Sequence, residues 1–152
     1  GTDGFRHGMN VVNHYFDLSF VDFIYESGQL LIFNPVSGTN DDLYLHLISY
    51  LAGLFQNSQL LYFFAAIIYG YFFANSLSRI AEVIEKKLNF FIIVLFLSFV
   101  LYKSFEGINS IRNYTGAWCL FYTTLSYVTT RNKRFLYLLI IPPFIHFAHL
   151  DY

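Results

Sequence analysis

Charge is scarce in this sequence. Lys, Arg, Asp and Glu together make up 12% of the 152 residues, about half the share that a soluble domain carries. Cysteine occurs once, at Cys119, which excludes an internal disulfide and a thiolate metal cluster. Inside an apolar stretch it reads as a small buried side chain. Proline occurs three times, and two of the three are adjacent, Pro142-Pro143. The sequence has no GxGxxG, P-loop, HExxH, CxxC or GxSxG pattern. It also lacks a basic stripe of the kind that nucleic acid requires, an internal repeat and a low-complexity tract.

What is there is apolar: 56% of residues are hydrophobic and 22% aromatic, and mean hydropathy is +0.47. These values put the chain in the membrane class. Phe and Tyr occur throughout rather than in two interfacial belts, so the aromatic excess reads as background composition. The chain opens on Gly1 and closes just after an apolar segment, and is expected to be a fragment of a larger membrane protein. The expected fold is all-α: a polytopic transmembrane helical bundle of about four spans, with short amphipathic or re-entrant helices. Residues 1–42 are expected to form an outer-side amphipathic helix and loop, and residues 43–152 the bundle.

Along the chain, the glycines of GTDGFRHG suit a turn. Over 9–24 the apolar residues recur at helical spacing, predicting one short amphipathic helix against a membrane or a partner helix. NPVSGTNDD (34–42) reads as a loop in which Asn40, Asp41 or Asp42 caps the next helix. Residues 43–55 are apolar but too few to cross a bilayer core that needs ~20, which suggests a re-entrant or interfacial helix. Residues 60–77 are long enough and uncharged. A charged connector (78–89) leads to a second span at 90–105, with Lys103 near its end able to snorkel outward. A third span is expected at 114–130, closed by RNKR, and a fourth at 135–150, broken at Pro142-Pro143.

Arg79, Lys86, Lys87, Arg131, Lys133 and Arg134 all fall in the two connectors that flank the 90–130 hairpin. The positive-inside rule makes that side cytoplasmic. The opposite side holds Asp3, Asp17, Asp22, Glu26, Asp41, Asp42, Glu106 and Asp151. Arg112 lies there too, away from the basic loops and among Asn109, Ser110 and Asn113. It is either a snorkelling anchor or a guanidinium that holds phosphate or carboxylate, aided by free N–H groups at a helix start. At ~1.5 Å per residue, Arg112 stands about 28 Å and His146 about 20 Å above the cytoplasmic side. Both therefore belong to the outer leaflet, where His146 can act as a general base. Asp3, Arg6 and His7 form a further polar set, and His149, one turn beyond His146, is a weaker candidate. His14 and His46 read as structural.

INSIRNYTGAW, then a span, then RNKR, then a span ending in FIHFAHL, resembles the EpsG family of Wzy-like polysaccharide polymerases. The matching positions are Arg112, the small residues Thr115, Gly116 and Ala117, the basic turn, and Ile145-His146. The opening GTD looks like the family's Gly-x-Asp turn, and NDDLYLHLISYLAGLFQNSQLLYFF is similar to the segment before its next full span. The resemblance implies a multi-pass glycosyltransferase of the bacterial cytoplasmic (inner) membrane. It would polymerise lipid-linked repeat units for exopolysaccharide, capsule or O-antigen. Its substrate would be an undecaprenyl-pyrophosphate-linked oligosaccharide, with no metal or other cofactor and no nucleic-acid partner. Polysaccharide export and chain-length proteins would be its neighbours. Arg112 and His146 take the catalytic positions, with Asn109, Asp3, Arg6 and His149 as substrate-binding candidates. The alternative is a transporter or flippase for a lipid-linked or amphiphilic substrate, which the interrupted last helix would suit.

Overall fold

The computed structural model describes residues 2–40, 42–84 and 111–145, with the side chains of 2–4, 83–84 and 111–113 excepted. The described residues are helical and turn structure, with no strand. The chain divides into two units, one of residues 1–68 with 143–152 and one of residues 69–142.

In the first unit, α1 (Thr2–Asn10) runs without a break into a π-helical turn, Val11–Tyr15. TDGFRHG (2–8) is therefore helix rather than the expected turn. Its glycines weaken a helix by ~1 kcal/mol each, but the π-turn is pinned by Val11 and Tyr15, which are almost fully buried, and α1 is continuous with it. The single helix expected over 9–24 is likewise two. The chain leaves helical structure after the π-turn and re-enters it at α2 (Phe20–Leu31), where Ser19 is the N-cap. The Ser19 Oγ accepts from the Asp22 N–H at 3.1 Å and donates to the Asp22 carboxylate at 2.6 Å. This reciprocal S-x-x-D cap fixes the helix start. Helix α2 turns Phe23, Glu26 and Leu30 inward, while Phe20, Val21, Ile24 and Tyr25 remain exposed.

Residues 32–40 form a loop that overlaps the one expected at 34–42, of which Asp41 lies outside the described residues. Gly38, at φ +94°, supplies the left-handed turn within it, and a side chain there would also meet the His14 ring, with Nδ1 3.1 Å from the Cβ position. Helix α3 (Leu43–Leu54) follows, with Asp42 in the N-cap position but making no side-chain cap bond. Eight of its twelve residues are buried, so the short apolar stretch is the central helix of this unit. It packs on the π-turn at Gly53, where an added Cβ would come within 3.0 Å of the Tyr15 backbone. Burial of side chains such as Leu30, Ile48 and Leu61 stabilises the unit by ~1.5–3 kcal/mol each.

Helix α4 (Leu60–Ile84) is the longest described element, at 25 residues. Its start is set by Asn57, whose side-chain oxygen accepts from the Gln59 N–H at 3.0 Å. Among the described residues, it alone contains a segment long and apolar enough to cross a membrane, Leu60–Glu82. The helix continues into what the charges suggested was a connector. No glycine or proline interrupts it there, and an Arg79–Glu82 pair at 2.7 Å supports the extra turn.

In the second unit, α5 (Ile111–Thr130) spans 20 residues and begins three residues before the third expected span. It buries Thr115, Cys119, Thr123 and Ser126, a polar-rich face that lowers its hydropathy. Ring contacts connect Phe73 to Trp118 at 5.0 Å and Tyr122 to Phe135 at 5.9 Å. The helix ends where RNKR predicts: Arg131 takes φ +55° and its N–H donates to the Tyr127 carbonyl at 2.8 Å. The next segment is not one helix but two, α6 (Arg134–Leu138) and α7 (Ile141–Ile145). The break lies at Leu139–Ile140 rather than at the prolines. Pro142 and Pro143 occupy the first turn of α7, where a missing N–H costs no helical bond. The second expected span, 90–105, lies outside the described residues.

Candidate functional site

A groove of about 600 Å³ opens where α1, the π-turn and the end of the 32–40 loop meet. It is lined by Phe5, Arg6, His7, Met9, Asn10, Asn13, Gly38, Thr39 and Asn40. A volume of this size lies within the range of small-ligand pockets. The π-turn is what builds it. Its wider register sends Asn13 to the groove while aiming Tyr15 at the core, and π-turns are frequent at functional sites.

The floor is a buried polar network centred on Tyr15 and Asn40. The Tyr15 hydroxyl accepts from the Asn40 backbone N–H at 3.1 Å and from its side-chain amide at 3.0 Å. That leaves its own proton for His46 Nδ1, 2.8 Å away. His46 is then neutral with its proton on Nε2, which faces the Phe23 carbonyl at 3.5 Å. The ring is fully buried and stacks on Phe23 at 4.8 Å. Burial pushes the His46 pKa below its ordinary 6.5; the Phe23 carbonyl and Glu26 pull it partly back up, and His14 adds a further lowering. The Asn40 amide also donates to Ser49 Oγ at 2.9 Å, and its oxygen accepts from Asn10 Nδ2 at 3.1 Å. The side-chain amide and backbone N–H of Asn40 are thus fixed, and through the amide the orientation of Asn10 at the groove surface. Beside this network, His14 Nε2 meets the Glu26 carboxylate at 3.0 Å. His14 and His46 therefore both have specific partners within the fold.

Of the sequence candidates, Arg6 is in the groove wall, joined by His7. Asp3 lies on α1, less than one turn before Arg6. Arg112 lies in the first turn of α5, in the other unit, and its side chain is outside the description. Asn109, His146 and His149 lie outside the described residues. Sequence reasoning missed Asn10, Asn13 and Tyr15, and took Asn40 only as a possible helix cap. The S-x-x-D cap at Ser19 was the available signal: it ends the 9–24 helix early and sets the preceding turn apart. Among the described residues no group of three or more His, Cys, Asp or Glu stands close enough to hold a metal. Comparison of the chain with family models, with curated proteins and with solved structures gives no match.

Proposed function

We propose that this chain is part of a multi-pass glycosyltransferase of the bacterial cytoplasmic membrane that polymerises undecaprenyl-pyrophosphate-linked oligosaccharide repeat units at the outer face. The observation that carries the reading is the Arg112 motif, INSIRNYTGAW, whose part from Ile111 on belongs to a long helix that closes on the basic turn RNKR. In the reaction, a hydroxyl of the incoming repeat unit attacks the anomeric carbon of the growing chain. The bond from that carbon to the pyrophosphate oxygen breaks, and the pyrophosphate leaves with the electron pair. Arg112 balances the charge that develops on the leaving group. His146 receives the hydroxyl proton. The groove, with Arg6 in its wall, supplies substrate contacts.

Arg112→Ala and His146→Ala in the full-length protein test these roles. Loss of a transition-state charge partner costs about 10²–10³ in rate, so polymer yield and length should both collapse. Arg112→Lys keeps the charge but loses the bidentate fork and should recover only part of the activity. Unchanged polymer in correctly inserted protein would end the proposal. A second reading, transport of a lipid-linked or amphiphilic substrate, draws on the interruption between α6 and α7. Turnover of a lipid-linked oligosaccharide in proteoliposomes separates the two readings, because a transporter moves it unchanged.

A further inference from the structure

We propose that the groove at the α1–π-turn edge is a saccharide-binding subsite, in which Asn10 and Asn13 read sugar hydroxyls and Phe5 packs on a sugar face. The inference rests on the polymerase reading and specifies which part of the substrate this groove takes. A saccharide presents hydroxyls that both donate and accept, together with weakly polar C–H faces. Carboxamides match the first because each carries two donors and an acceptor. Here one of the two amides, that of Asn10, is held in place rather than left to adjust. Asn10 donates to the buried Asn40, which Tyr15 and Ser49 fix in turn. The Asn10 carbonyl oxygen is left for a ligand. Asn13 makes no side-chain hydrogen bond among the described residues, stands exposed on the π-turn and lines the groove. Phe5 is 73% exposed in the same wall, an apolar platform with a cost in water that a ligand face would relieve. The volume of about 600 Å³ is enough for a short oligosaccharide.

The competing ligand is a phosphate-bearing headgroup, drawn by Arg6 and His7. The two are distinguished by which side chains matter and by what competes. The full-length protein in nanodiscs is titrated with maltotriose, cellotriose and chitotriose separately, and binding is read by saturation-transfer NMR. At least one trisaccharide should bind, and its affinity should fall tenfold or more in Asn13→Ala and in Phe5→Ala. Both side chains are exposed, so neither change threatens the fold. Val21→Ala, on the outer face of α2, should leave affinity unchanged. The inference is overturned if no trisaccharide binds, if binding ignores Asn13 and Phe5, or if inorganic pyrophosphate displaces the sugar competitively. Normal polymer from Asn13→Ala, with no trisaccharide bound by either protein, removes the subsite and leaves the polymerase reading standing. Trisaccharide binding by a wild-type protein that makes no polymer keeps the subsite and removes the polymerase.

Discussion

Tyr15→Phe removes one oxygen and leaves the ring in place, which isolates the energetics of the groove floor. That oxygen serves three hydrogen bonds, at 3.1, 3.0 and 2.8 Å. The Asn40 side-chain amide keeps Ser49 as a partner. The Asn40 backbone N–H and His46 Nδ1 each lose the partner that Tyr15 supplies, and both residues are buried. A buried polar group left unpaired costs ~1–3 kcal/mol, so the two together cost about 2–6 kcal/mol before relaxation. For a chain of this length each kcal/mol moves the midpoint by ~2–4 °C. Thermal unfolding of the detergent-solubilised protein should therefore shift down by roughly 4–24 °C, less whatever relaxation recovers. Trisaccharide affinity should fall with it, because Asn10 takes its orientation from Asn40. A shift below ~2 °C would mean that water reaches these groups and that no sealed floor exists.

Other perturbations probe different parts of the structure. Gly53→Ala drives a methyl group to 2.3 Å from the Tyr15 carbonyl oxygen, a backbone atom that cannot swing aside; the loss should reach or exceed the ~1–3 kcal/mol typical of overpacking, read by chemical unfolding. The His46 pKa is lowered by burial, so the unfolded state binds the proton first as pH falls. Stability should be flat with respect to this group above 6.5 and decline below it, toward the lowered folded value. A midpoint series from about pH 8 to about pH 5, compared with His46→Gln, checks the sign.

The legible parts of this fold are those that local chemistry decides. The loop that ends at Asn40, the start of α4 at Leu60 and the end of α5 before RNKR all follow from short-range signals, namely turn residues, a polar cluster and a charge run. The π-turn was not legible. Nothing in VVNHY distinguishes it from an α-helical turn; its register fits Tyr15 against Gly53 on α3, a contact between residues far apart in the sequence. The groove inherits that difficulty, since Asn13 and Asn40 come to line one wall only after α3 has packed. Arg6 could be selected by residue type alone, but its neighbours in the wall could not. The charges of 78–89 misled because they mark where a helix can meet water, not where it stops.

The five residues of the π-turn carry a consequence for natural variation in chain length. A π-turn holds one residue more than the α-helical turn it replaces. Removing Asn13 would let this turn close with ordinary winding while the helix on either side, including Val11 and Tyr15, kept nearly its direction. Phe5 and Arg6 would stay in the groove wall, and the groove would lose the one amide that the extra residue contributes. Homologues that lack this residue should therefore keep the fold and the wall but hold a ligand more weakly. A single-codon deletion thus separates the architecture from one contact of its candidate ligand site.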